Sequence, residues 1–149
     1  MKFSKRFRFA DWPNNEIPHV AAGVYAIWNR NLLLYCGMSG RSIEAAIRSG
    51  KSKYGLVTRL NSHAAGRLSG DQFCVYVANR LVIPGLQADD LLQFASGELK
   101  LDYLTKAFVH EHLDYQYVLV DSSAEAYEFE SKARRGEVFG QQPLLNPLA

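Results

Sequence analysis

Three groups of side chains in this 149-residue chain have types and spacings that could do chemistry. Arg59 and His63 stand four apart in Leu56-Val-Thr-Arg-Leu-Asn-Ser-His63. On a helix they share one face and flank the stripe Leu56–Leu60–Ala64, which sets a guanidinium and an imidazole at the edge of a packed surface. Glu125, Glu128 and Glu130 sort by position. Glu125 has capping-box spacing from Ser122, and Glu128 stands four before Lys132, the spacing of an exposed ion pair. Glu130 falls with Ala126, Phe129 and Ala133 on the side that should pack. A carboxylate there needs a cationic partner or a metal, because an unpaired buried charge is costly. The third group is Tyr25 and Tyr35, each inside a β-rich run and each able to serve simply as a strand residue. His110-Glu-His112 could present two imidazoles together only if extended; on a helix they diverge. No phosphate-binding Gly-rich loop, zinc-protease helix motif or nucleophile elbow is present, so nucleotide-cofactor and common hydrolase readings lack support.

The elements that must position these groups follow from periodicity and breakers. Residues 22–28 and 32–37 read as strands joined through Asn29-Arg-Asn31, which gives a β-hairpin with the two tyrosines facing across it. Ser42 can cap a short helix over 43–48, followed by a basic loop, 50–55, and a helix over 56–68. Alternation of Phe73, Val75 and Val77 predicts a third strand over 72–78. Two helices, 88–95 and 101–112, fill an inserted segment of about 81–113. A strand over 115–121 and a helix from Ser122 to about Arg135 follow, and a Pro-punctuated tail, 141–149, is expected to lie extended on the surface. The order β-β-α-α-β-(αα)-β-α predicts an α/β fold of the α+β kind, a small, mostly antiparallel sheet flanked by helices.

Composition sets the frame. Apolar residues make up 48% and charged residues 21%, an ordinary globular balance that argues against disorder and suits one domain. Cys36 and Cys74 lie in apolar runs without C-x-x-C spacing and read as buried free thiols. No apolar run reaches membrane-span length, and the basic N-terminus lacks the apolar core of a signal peptide. A soluble, cytoplasmic protein is expected. The net charge of +2 hides a division: residues 1–67 carry eleven cations and three acids, whereas 68–149 carry six and twelve. The basic half, with Phe3, Phe7, Phe9, Trp12 and Tyr54 interleaved, suits a polyanion. The alternative is that the two halves pack side by side and neutralise each other.

Gly23-Val24-Tyr25 and Tyr35-Cys36-Gly37, together with the downstream residues, resemble the signature of the GIY-YIG nucleases. The family's catalytic arginine, with a histidine one turn later, matches Arg59 and His63; Arg48 stands as the other candidate for the arginine. The family's metal-binding glutamate, ahead of a Pro-x-x-Asn tail, matches Glu130 and Pro143-Leu-Leu-Asn146. The resemblance covers residues 22–80 and 115–147 and leaves 81–113 unaccounted for. It implies a divalent-metal-dependent endonuclease, with DNA as the expected substrate and Mg²⁺ or Mn²⁺ as the cofactor. Glu130 would hold the metal and Arg59 would face the phosphate oxygens. Tyr25 would orient or deprotonate the attacking water, its pKa lowered by nearby cations, or His63 would take the proton itself. Tyr35 would position the phosphate or water, Gly23, Gly37 and Asn146 would support the site, and Lys51, Lys53, Arg59 and Arg67 would bind nucleic acid. Without a separate recognition domain, specificity is low or comes from a protein partner. The rival reading is a nucleic-acid- or partner-binding module on the same fold whose catalysis has lapsed.

Overall fold

The structure, a computed structural model, describes residues 2–147; Met1, Leu148 and Ala149 lie outside the described residues. Five strands form one sheet: β1 (Phe7–Arg8), β2 (Val20–Asn29), β3 (Leu32–Ser39), β4 (Tyr54–Gly55) and β5 (Asp114–Val120). Their order is β1-β5-β2-β3, antiparallel throughout, and the two-residue β4 adds in parallel to the start of β2. The helices are α1 (Ile43–Arg48), α2 (Leu56–Ala65), α3 (Gln72–Val77), α4 (Ala88–Ser96), α5 (Leu101–His112) and α6 (Ser123–Arg134). The fold is therefore the expected mixed one, a small sheet flanked by helices. No helix among the described residues is long and apolar enough to cross a membrane.

The sheet separates two apolar layers. On one face Tyr25, Ile27 and Leu34 pack with Leu56 and Leu60 of α2, Phe73 and Val77 of α3 and Val109 of α5. On the other, Ala26, Trp28, Leu33 and Cys36 meet Ala133 of α6, and Val24 and Val118 meet Ala126. The alternation of strand side chains, one face then the other, produces both layers from the same few strands. Gly23 is what lets α2 approach: a Cβ there would lie 2.8 Å from the Val118 carbonyl oxygen and 3.0 Å from Leu56.

One expected element changes type. Residues 72–78 are not a strand but α3, continuing through a π-helical turn, Ala78–Val82. Asp71 caps it, its carboxylate accepting from the Cys74 N–H at 3.1 Å, and Phe73, Cys74 and Val77 form the buried side. Spacings of one and four fit a helix, so tertiary burial overrides the β preference of the valines. The N-terminal aromatics are built into the fold. Phe9 is fully buried, and Phe7 stacks on Tyr115 and Tyr117 from the edge strand β1. The tail does more than lie on the surface. Leu144 and Leu145 N–H groups donate to the Leu33 and Leu34 carbonyls at 3.1 and 2.8 Å, which covers part of the free edge of β3.

Candidate active site

The site forms beside β3, where groups from both layers meet. Tyr25 pairs with Gly37, and Ile27 with Tyr35. A plain two-stranded ladder continued from Trp28↔Leu33 would pair Tyr35 with Ala26 and turn it to the opposite face. A bulge between Ile27 and Trp28 shifts the register by one residue, so Tyr35 joins Tyr25 on one face with ring centroids 6.3 Å apart. Gly37 makes room for this. A Cβ at that position would overlap the Tyr25 hydroxyl. Asn146 supports the same strand, its side-chain oxygen accepting from Cys36 N–H and its amide donating to the Cys36 carbonyl, both at 2.8 Å.

His63 lies at the centre and is buried, not at an exposed edge. Its Nε2 is 2.7 Å from the Tyr25 hydroxyl and its Nδ1 2.7 Å from Asp71 Oδ2. Burial alone would raise the Asp71 pKa, but hydrogen bonds from His63, Ser62 (2.6 Å) and Cys74 outweigh it and hold the carboxyl at about 2. Asp71 is then an acceptor only, so Nδ1 carries the imidazole proton. Burial pushes the His63 pKa down and Asp71 opposes it only in part, which leaves the ring neutral at pH 7. Nε2 is therefore the acceptor, and the Tyr25 hydroxyl donates to it. Cations do not lower the Tyr25 pKa as expected. Arg59 does pull it down, but burial and the neighbouring Tyr35 raise it well above its ordinary value. Burial, with Glu130 and Asp71, likewise pushes Tyr35 to about 12.

Tyr25, Tyr35, Arg59, His63 and Glu130 all line one cleft of about 410 Å³, and Arg48 does not. Arg59 is exposed on α2, forms no ion pair among the described residues, and points its charge at this space. Glu130 comes from α6, on the other layer, and is nearly buried; of its neighbours, Glu125 donates its N–H to the Ser122 cap while its carboxylate accepts from the Asp121 N–H at 3.0 Å, and Glu128 pairs with Lys132 at 2.8 Å. The cation beside Glu130 is Arg134, at 3.5 Å. Burial raises the Glu130 pKa, and Arg134 and Arg41 oppose that. Lys51, Lys53 and Arg67 do not line the cleft. Lys51 instead sits over the Tyr54 ring at 5.2 Å, and Arg67 follows the far end of α2. His110 and His112 diverge at the end of α5, His110 bonding the Ala64 carbonyl at 2.7 Å. Both cysteines are buried and free, and burial raises both thiol pKa values.

Asp71, Arg41 and Arg134 are the functional candidates that sequence reasoning missed. Asp71 was hidden by reading 72–78 as a strand, which made it a turn residue. Read as a helix cap, it would have stood eight residues from a histidine in need of a carboxylate. Arg134 is one turn beyond Glu130 on the same helix, a spacing visible in the sequence once Glu130 faces inward. No protein-family model, curated protein or solved structure matches the chain.

Proposed function

We propose that the protein is a divalent-metal-dependent nuclease of the GIY-YIG type that hydrolyses phosphodiester bonds in DNA. The observation that carries this reading is the convergence of Tyr25, Tyr35, Arg59, His63 and Glu130 on one cleft, with His63 held between a phenol and a carboxylate. A Mg²⁺ or Mn²⁺ ion fits the donors available. Such ions use one or two carboxylates and complete their shell with waters and substrate phosphate oxygens. Asp71 is engaged by three hydrogen bonds, so Glu130 is the cleft carboxylate that would hold the ion. Among the described residues no group of three or more His, Cys, Asp or Glu is placed to hold a metal, so Glu130 would be its single protein carboxylate. When bound, the ion supplies positive charge to the phosphate and the leaving oxygen.

The residues of the chain supply the rest. A tyrosinate is out of reach at pH 7, so the Tyr25 oxygen accepts the water proton as its own proton passes to His63 Nε2. The hydroxide attacks phosphorus and the bond to the leaving oxygen breaks. Asp71 stabilises the resulting imidazolium and keeps the ring in the tautomer that can accept. Arg59 sets its fork of donors against the non-bridging oxygens as charge builds there. Tyr35 orients the water or phosphate through its hydroxyl.

The test incubates the full chain with supercoiled plasmid and with single-stranded DNA, in Mg²⁺, Mn²⁺ or EDTA. Cleavage with either metal and none in EDTA is expected. The binding-module reading is favoured by one observation, that Arg134 already pairs with Glu130. Salt-sensitive DNA binding without cleavage under any condition would establish it in place of the nuclease.

A further inference from the structure

We propose that the cleft is the middle of a longer groove that takes a single nucleic-acid strand in preference to a duplex. The inference deepens the nuclease reading by naming the form of its substrate. Two depressions adjoin the central one. The first, about 640 Å³, lies beyond Glu130 and is lined by Tyr127, Arg134 and Arg135; it shares Glu130, Arg134 and Asn146 with the cleft. The second, about 230 Å³, lies beyond Arg59 and is lined by Tyr54; it shares Arg41 and Arg59. The groove thus runs from Tyr127 past Glu130 and Arg59 to Tyr54, with arginines along its whole length and an aromatic ring at either end. Those arginines come from both halves of the sequence, so the basic track is built by folding and does not follow the charge division of the chain.

A cationic groove with aromatic platforms is the arrangement that holds single strands: arginines follow the backbone and the rings stack bases without reading them. Tyr127 suits the second task, whereas Tyr54 already carries Lys51 over its ring. The residue is 64% exposed on the outer side of α6 and belongs to none of the apolar clusters, so the ring is free for a base to stack on. Depth argues against a duplex. Tyr25, His63 and Glu130 are 1%, 2% and 9% exposed, so a phosphate must descend to the floor to meet them. A space of 410 Å³ is near the lower end of the roughly 300–1,000 Å³ that encloses a small ligand, room for one nucleotide. A duplex is a stiff cylinder with a persistence length of about 150 bp, and its backbone cannot fold into such a recess without local opening. A single strand bends in freely.

The test measures fluorescence anisotropy of the full chain, in EDTA, against labelled 12-mers of dT and of U and a 12-bp DNA duplex. Tighter binding of either strand than of the duplex, by about tenfold, is expected, and the dT and U arms tell which sugar is preferred. Tyr127→Ala should weaken strand binding about tenfold, the loss of one stacked base, while Tyr127→Phe keeps it. Arg41→Gln, where the cleft meets the second depression and with no ion pair among the described residues, should reduce the salt slope by about one, whereas Arg135 is already paired with Glu137 at 2.6 Å. Equal or tighter duplex binding, or an unchanged affinity in Tyr127→Ala, would overturn the proposal. The two readings fail separately. Strand preference without metal-dependent cleavage removes the nuclease and leaves the groove; cleavage of duplex without strand preference does the reverse.

Discussion

Asp71 accepts from Ser62, His63 and the Cys74 N–H, and through His63 it reaches the Tyr25 hydroxyl. In the proposed hydrolysis its effect is indirect, which makes it a positioning residue. Asp71→Asn keeps the shape and can still accept from Nδ1, but it removes the charge that stabilises an imidazolium. We expect kcat to fall about 10²–10⁴-fold with KM little changed, measured on a single-stranded oligonucleotide in Mg²⁺. The acidic limb of the pH–rate profile should move to lower pH, because Asp71 raises the His63 pKa. A variant with an unchanged limb would mean that His63 takes no proton. At this scale most of the site was legible. Arg59 and His63 were marked by spacing, and Glu130 by elimination among three glutamates. The protonation chemistry was not legible, because it depends on how deeply Tyr25 and His63 are buried, a property of the whole packing.

The hairpin β2–β3 decides whether the two tyrosines can act together. Its bulge turns Tyr35 to the face of Tyr25, and Gly37 leaves space for the Tyr25 hydroxyl. Gly37→Ala should push the phenol off His63, costing about 1–3 kcal/mol of stability and most of the activity. Urea denaturation and a cleavage assay check the two effects; a variant with normal stability and rate would show that Tyr25 has room to spare. The hairpin itself was legible from β-rich runs and a polar turn. The bulge was not, since a one-residue slip leaves no mark in an apolar run such as Leu32–Leu33–Leu34. Residues 72–78 failed for a related reason: alternating valines read as a strand until a cap and a buried face supply a helix.

The packed protein couples its site to its acid stability. Asp71 titrates at about 2 when folded and near 3.9 when unfolded, so its contribution is complete above about pH 4 and is lost as pH falls toward 2. His63 works in the same direction from higher pH. Its folded pKa lies below 6.5, so below about pH 6.5 the unfolded chain takes up a proton that the folded one resists. Unfolding free energy from urea titrations should decline from pH 7 to 5 and more steeply toward pH 3. A flat profile would contradict the buried pair. The tail also contributes to the stability of the whole protein. Asn146→Ala would orphan the Cys36 N–H and carbonyl under the covered edge of β3, and about 1–3 kcal/mol should be lost. The resemblance marks Asn146 as a supporting residue, but its partner Cys36 was not legible, because the tail meets β3 across more than a hundred residues of chain. Hydrolysis of a phosphodiester at this cleft, by way of a metal on Glu130, is tested by one comparison. Wild type, Glu130→Gln and Glu128→Gln are assayed side by side for cleavage of single-stranded DNA in Mg²⁺, with folding checked by circular dichroism. The expected result is cleavage by wild type and by Glu128→Gln, whose partner is the exposed Lys132, and none by a folded Glu130→Gln. Full cleavage by folded Glu130→Gln would contradict the claim outright.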